Sequence, residues 1–555
     1  MRANKLLLLV ASLATLVLLA TAAYRETVAR DWRRLQRAYR ARLDPAAAAE
    51  FGVHLRQVYV PALGATDRCI SCHVGMAPGE TGIAGDPVFG RHPDVVHDPA
   101  DFGCVVCHAG QGRATEKADA HGDVRFWPHP MLPKRYAYAG CGSCHTHVAV
   151  PRQDVLARGL RLVERNDCLA CHTLDGRGGT VRPGTEAVAA PDLSRAGASG
   201  YASDWYPRHL ARHEAAADGL WRSAFGPIDA ADRAALDEVL ASRVGAPGLV
   251  EAKAVFHSLG CRGCHKVAGV GGDDGPDLTR AGERDPGLTS FRHVRGAHTI
   301  ANWHAEHLRA PATVVPGSQM PQLGLTDAQI DALVFYVLSL RRSDQPEAYW
   351  PKDRIRAERF GEREFSTDGA TLYGTFCAAC HGPRGEGMRY PGAAAFPAIG
   401  NPDFLAVASD RFIRETVLRG RPGRRMPAWG DGGLRPAEID ALVAHVRGLA
   451  PDVPPPVEDE PRRWVRADAA AGALLYAGAC ASCHGARGEG KEGPALANPR
   501  FLAAATDRYL VETIRRGRRG TSMPGFAAAS PQHRTLADDE IAAIVAHVRT
   551  WEESP

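Results

Sequence analysis

The chain has almost no net charge. Its 67 Lys and Arg stand against 63 Asp and Glu, leaving +4 over 555 residues. That is too little to track the phosphates of a nucleic acid, so no nucleic-acid partner is expected. Aromatic residues are scarce at 7%, so large rings alone do not build its cores. Methionine occurs only seven times, and no copy lies between Met131 and Met320. Spare cysteine is missing altogether. All 14 cysteines sit inside one repeated pattern, which leaves none for a separate disulfide framework.

That pattern is Cys-x-x-Cys-His. Its seven copies are Cys69/Cys72/His73, Cys104/Cys107/His108, Cys141/Cys144/His145, Cys168/Cys171/His172, Cys261/Cys264/His265, Cys377/Cys380/His381 and Cys480/Cys483/His484. It is the attachment signature of c-type haem. Two thioethers tether the porphyrin, and the adjacent His becomes the proximal iron ligand. A structural zinc site pairs two Cys-x-x-Cys units, and a four-cysteine iron–sulfur cluster needs no His after every pair. Neither gives the third letter a role in every copy. Seven covalently attached haem c groups are therefore expected. Their discs supply the apolar mass that the missing aromatics do not.

Arg2 and Lys5 precede an apolar run of 19 residues, Leu6 to Tyr24. At ~1.5 Å per residue it spans about 28 Å, close to a bilayer core of ~30 Å. Residues 1–24 read as a transmembrane anchor or a signal. Ala20-Thr21-Ala22 resembles a cleavage site, but a signal core usually runs only ~7–15 residues, which favours the anchor. The two cations favour a cytoplasmic N-terminus. The expected location is the cytoplasmic membrane, with one N-terminal anchor and the haem domains in the periplasm. Residues 25–50 read as an amphipathic helix, with Trp32, Leu35, Tyr39 and Leu43 in one stripe. Two readings fit it. It is a solvated stalk, or the stripe packs on a membrane partner with its arginines near lipid headgroups.

Residues 51–150 hold three motifs and no long amphipathic pattern, so they read as a tri-haem segment of loops and short helices. From 151 onward the motifs spread out into internal repeats. The divisions fall at 151–246, 247–342, a linker at 343–362, then 363–450, a Pro-rich linker at 451–464, and 465–555. Three repeats end alike. Met320-Pro321, Met426-Pro427 and Met523-Pro524 each precede a helical apolar pattern. Thr326 with Gln329 makes a capping box at the start of one such helix.

These repeats resemble class I cytochrome c domains over residues ~151–552, most strongly in the last three. The resemblance implies a small α-helical wrap around one haem, with axial His and Met. It also implies a Pro loop whose carbonyl supports the proximal His, and Pro191, Pro276, Pro397 and Pro494 lie at comparable places. The first 150 residues, with Asp67-Arg68-Cys69, Phe102-Gly103-Cys104 and Gly110-Gln111-Gly112-Arg113-Ala114, resemble the tri-haem part of membrane-anchored multihaem cytochromes. In bacteria these tend to accompany cytochrome b-type quinol-oxidising complexes, an analogy of fold. The expected fold is mainly α: an N-terminal transmembrane helix, a loop-rich tri-haem segment, then four tandem cytochrome c-type domains.

The motifs name seven proximal ligands: His73, His108, His145, His172, His265, His381 and His484. The repeated Met-Pro context marks Met320, Met426 and Met523 as distal ligands. The tri-haem segment has no such Met. Among its spare histidines His92, His97 and His121 are favoured, with His54 and His129 in reserve and the pairing open. Haem 4 is atypical. Trp205 and His209-Leu210 match Trp303 and His307-Leu308, but Ser223 falls where Met320 stands. Either His213 substitutes, with His209 next, or the iron is five-coordinate. His304, His307, His445 and His547 read as structural or solvated.

The function expected is electron transfer along a haem chain on the periplasmic side, rather than a stand-alone enzyme. Electrons would run from a quinol-oxidising membrane complex to a periplasmic redox acceptor, with membrane lipid a further contact. No catalytic residue is assigned. The alternative is a multihaem oxidoreductase acting on a small molecule at an open haem 4. Arg419, Arg421, Arg424 and Arg425, and Arg515, Arg516, Arg518 and Arg519, precede two of the Met ligands. They are a solvated charge run or a rim that steers an acidic partner.

Overall fold

The computed structural model describes every residue except 1, 94, 180–189, 200–203, 205–207, 210, 212–227, 392–394, 458, 530–532 and 553–555. Trp205, His213 and Ser223 lie outside the described residues. The fold is mainly helical, with three two-stranded ribbons among the described residues.

Helix α1 (Arg2–Thr27) holds the apolar run. Its leucines stand exposed, and residues 3–27 are long and apolar enough to cross a membrane. Helix α2 (Asp31–Arg40) replaces both readings of the amphipathic stretch. Trp32, Gln36 and Tyr39 are buried. Gln36 donates to the carbonyls of His54 and Ser71. The Tyr39 hydroxyl donates to Thr81 O at 2.6 Å, and its ring packs on Phe51 and Phe89. The stripe covers the segment 51–150 of its own chain, because apolar cover lies there within reach.

The larger helices that follow are α3 (Gln153–Arg165), α4 (Ala230–Ser242), α5 (Leu249–Ser258), α6 (Ile300–Arg309), α7 (Asp327–Ser339), α8 (Lys352–Phe360), α9 (Gly369–Phe376), α10 (Asp410–Arg419), α11 (Pro436–Gly448), α12 (Ala469–Ala479), α13 (Asp507–Arg516) and α14 (Asp538–Thr550). One arrangement repeats four times. The helix before a motif packs on the helix that closes its unit: α3 on α4, α5 on α7, α9 on α11 and α12 on α14. Local chemistry fixes where they start. Thr326 and Gln329 form the capping box of α7. Asp368 and Asp468 accept the first free amides of α9 and α12, which a helix cannot satisfy itself.

The crossings demand small residues. A Cβ on Gly369 would stand 2.3 Å from the Ala441 carbonyl, and one on Gly472 would stand 1.9 Å from the Ala543 carbonyl. His445 and His547 lie at these crossings, their rings 5.0 and 5.5 Å from Tyr373 and Tyr476. Both are structural. The last two units share one apolar core, where Phe412 and Tyr509 stack at 4.4 Å. The stretch 343–362, read as linker, contains α8 and folds back on the segment 51–150. Tyr349 meets Phe102 at 5.5 Å, and Glu358 approaches His147 at 3.8 Å.

Two glycines of α12 should answer substitution with opposite signs. Gly472→Ala forces α12 off α14 and should cost about 1–3 kcal/mol, the range for overpacking. Gly478 has open space around it, so Gly478→Ala should stabilise by up to about 1 kcal/mol through helix propensity. Thermal unfolding of the two variants checks this. Equal effects would mean that the crossing is not tight.

Candidate haem-binding sites

Each motif is one helical turn. The His amide donates to the carbonyl of the first Cys in all seven copies, at 2.9–3.0 Å. Positions i, i+3 and i+4 share a face in such a turn, so both sulfurs and the imidazole present together. All 14 thiols are free of disulfides. Five proximal rings are oriented through Nδ1 by a backbone carbonyl. His73 meets Val88 O at 3.2 Å, His172 meets Pro191 O at 2.7 Å, and His265 meets Pro276 O at 2.8 Å. His381 and His484 meet Pro397 O and Pro494 O, each at 2.9 Å. The four expected prolines are all in place, and each bond leaves Nε2 free. Burial pushes His73, His108, His145, His265, His381 and His484 below the usual imidazole value. That favours the neutral ring, which is the ligating form.

In the fourth and seventh motifs only the first of the two cysteines joins an apolar cluster, although the sequence assigned both the same role. That first cysteine, Cys168 or Cys480, packs on the apolar cluster of its unit. Burial pushes each of these thiols up to about 11. The second cysteines, Cys171 and Cys483, are half-buried as the first are, and lie outside the apolar clusters of the described residues. Backbone bonds hold them instead. Cys171 O accepts from Ala190 N at 3.3 Å, and Cys483 O accepts from Gly493 N at 2.9 Å. The Cys483 sulfur also lies 3.8 Å from the Ser482 hydroxyl. Protein packing therefore does not single out Cys171 and Cys483 as attachment points, and that role rests on the motif spacing alone.

Four motif histidines face a histidine from elsewhere. The ring centroids of His73 and His121 are 6.4 Å apart, those of His108 and His92 6.1 Å, those of His145 and His97 6.3 Å, and those of His172 and His209 6.4 Å. Such gaps are too wide for ring contact. They leave room for one metal bonded at ~2 Å to a nitrogen of each ring. The donor set, two imidazoles beside a pair of free thiols, fits a haem held on both faces. The sequence named His92, His97 and His121 without partners, and ranked His209 behind His213. The reserves are engaged differently. His54 bonds Gln36 through its backbone, and the His129 carbonyl accepts from Trp127 Nε1 at 2.8 Å; the spare His147 meets Thr146.

In the later units Met426 and Met523 pack, half-buried, against the shared core. Their loops close in the same way: Arg421 N donates to Met426 O at 2.8 Å, and Arg518 N donates to Met523 O at 2.9 Å. Met320 is half-buried on the loop after α6. On α6, burial pushes His304 down to about 3 and His307 down to about 4. His304 is buried and His307 half-buried, stacked on Trp303 at 4.9 Å.

The arginine-rich loops differ from a free docking rim. Arg419 pairs with Glu415, and Arg515 and Arg516 pair with Glu512. Arg425 reaches Asp274 in the preceding unit, and Arg519 clamps Asp403. Arg421 lies over Phe412 and Phe501, and Arg518 over Phe404 and Tyr509. Seven of the eight guanidinium groups therefore serve contacts within and between units.

The first, second, third, fifth and sixth motifs adjoin one another in turn. The thiols of Cys69 and Cys104 lie beside each other, and this neighbour together with burial pushes the Cys104 thiol up. A Cβ on Gly140 would meet Cys107 O at 1.8 Å, so the second and third motifs are pressed together. Cys141 and Cys261 pack on one apolar cluster, which Leu156 of α3 also joins. The fifth and sixth motifs adjoin, a Cβ on Gly260 meeting the Ala379 side chain at 2.7 Å, and the Cys264 and Cys380 thiols are neighbours. Asn401 donates to Arg519 O and Asn498 donates to Pro422 O, joining the last two units reciprocally.

Comparison with known proteins agrees with this layout. Residues 366–446 and 467–548 match the family of cytochrome c oxidase, cbb3-type, subunit III. Residues 249–341 match the cytochrome c family. The cbb3-type cytochrome c oxidase subunit FixP of Bradyrhizobium sp. (strain ORS 278) is 36% identical over 169 residues, 28% of this chain and 53% of that protein. Subunit CcoP of Cereibacter sphaeroides is 30% identical over 200 residues, 35% of this chain and 59% of that protein. The matched part thus spans between half and three-fifths of these relatives' length. A solved chain of the Kuenenia stuttgartiensis reducing HAO-like protein complex aligns at a TM-score of 0.24 and 20% identity, over 34% of this chain and 96% of that one. That likeness is too slight to carry an argument. Residues 249–341, 366–446 and 467–548 are cytochrome c domains, which bind haem c covalently and transfer electrons, and the last two are related to a subunit of cbb3-type oxidases.

Proposed function

We propose that the whole chain is a seven-haem electron-transfer protein, anchored by α1 with its remaining residues on the periplasmic side. The observation that carries this reading is the set of four histidine pairs at 6.1–6.4 Å. In it His73 and His121 hold the first site, His108 and His92 the second, His145 and His97 the third, and His172 and His209 the fourth. His265, His381 and His484 hold the other three opposite Met320, Met426 and Met523. Bound haem supplies a one-electron couple at each site. A methionine sulfur opposite histidine raises the potential relative to two imidazoles. The first four sites are then low and the last three high. The contact of the first, second, third, fifth and sixth motifs in turn supports passage from the membrane end towards the C-terminal domains. Kinship of the last two domains with oxidase subunits supports a respiratory membrane complex as partner. A cytochrome b-type quinol-oxidising complex fits as donor, and a periplasmic redox protein fits as acceptor. The pairing of His172 with His209 speaks against an open fourth iron, and so against the enzyme reading.

The alkaline pyridine haemochrome assay should give seven haems per chain, one for each motif. Six or fewer would mean an unused motif. A redox titration should separate a low group from a high group, and Met426→His should move one haem from high to low. A single undivided transition would defeat the direction proposed.

Carbon monoxide tests the fourth site. The reduced wild type should bind none, and His209→Ala should bind one equivalent. One equivalent bound by the wild type and unchanged in His209→Ala would instead favour small-molecule chemistry there.

A further inference from the structure

His145 lacks the support that five other motif histidines share. Its Nδ1 is buried and has no hydrogen-bond partner. A carboxylate oxygen of Asp353 lies 4.0 Å away, with the two side chains 7% and 12% exposed. The other Asp353 oxygen, Oδ2, is also buried and unpartnered. A donor and an acceptor are thus left orphaned side by side, which native interiors rarely permit. They stand one side-chain adjustment short of a hydrogen bond. Helix α8 brings Asp353 there. It presents Asp353, Arg354 and Ala357 inward on one face. Arg354 is fixed by Trp350 beneath its guanidinium at 4.0 Å and by Ser343 O at 2.6 Å.

We propose that Asp353 is a positioning residue for His145, its carboxylate accepting from Nδ1–H where a backbone carbonyl accepts at five of the other motifs. The inference rests on reading the third motif as a haem site. A carbonyl offers a dipole, whereas a carboxylate offers a full charge. Carboxylate partners orient a ligating histidine and raise its basicity. A more basic ligand and a nearby negative charge both favour the oxidised iron. The third site is thereby set below the other histidine-paired sites.

The test is potentiometric titration of the full-length protein in detergent. His97→Met should raise one midpoint and so mark the third site. Asp353→Asn keeps the shape and removes the charge. It should raise that same midpoint by about tenfold in the equilibrium constant for reduction, 59 mV for a one-electron couple. Asp353→Glu should return it. A purely structural role predicts no shift in the isosteric variant, and unchanged midpoints in Asp353→Asn overturn the proposal. If His97→Met moves no midpoint, the haem-site reading falls, and the proposal with it. Should Asp353→Asn shed a haem, Asp353→Glu is read instead. A wild-type midpoint supports the carboxylate, and a raised one overturns it.

Discussion

A single buried acid holds the large parts of this molecule in register. Glu364 lies between Lys253, at 2.5 Å, and Arg262, whose side chain is fully buried. Lys253 also donates to Val148 O at the end of the segment 51–150. Arg262 lies inside the fifth motif and donates to the carbonyls of Val267 and Val270. The next residue, Phe365, bridges to Val150. Burial opposes the charge on Glu364, but Arg262 and Lys253 outweigh it and hold the carboxyl well below its ordinary value. Such a group adds little net stability, yet removing one member strands buried charge at about 3–5 kcal/mol. Its effect is geometric. It fixes the third, fifth and sixth motifs against one another, and on that their contact in turn depends.

The segment 51–150, which holds the first three motifs, is constrained differently. Its paired histidines do not follow chain order. His121, beyond the second motif, faces His73 of the first, while His92 and His97, between the first two, face the second and third. No one motif brings its own partner. Residues 73 to 145 must fold together for any of these pairs to form, and α2 and α8 cover them from two sides. In each of the last three repeats a Met follows its own motif in the same unit, so those units are self-contained.

The legible parts were local. Seven motifs, the Met-Pro loops, the capping box at Thr326 and the four prolines all repeat at short range, and each appears where the pattern placed it. What escaped is long-range. Which histidine faces which is decided by contacts between residues tens of positions apart, for which one sequence carries no signal. The same holds for the apolar clusters that Cys168 and Cys480 join and Cys171 and Cys483 do not. The stripe on α2 was correctly seen as apolar, but its cover lies in the same chain. The stretch 343–362 has the composition of a linker, yet Asp353 and Arg354 face inward from a packed helix. Periodicity shows that a face is apolar, not what lies against it.

The arginines before Met426 and Met523 show the same limit with a functional consequence. As a sequence they are a basic run. In the fold they link two copies of one unit. Arg421 of the first copy lies against Phe501 of the second, and Arg518 of the second lies against Phe404 of the first. Arg519 then clamps Asp403 with both ends of its guanidinium. Burial pushes Arg421 down to about 10, the mark of a guanidinium taken out of water. These groups are held by contacts inside the chain rather than left free. They hold the two Met loops rigidly against each other. For one-electron transfer between neighbouring sites, a fixed separation is the more useful property, and here it is built from residues whose charge alone suggested an interaction surface.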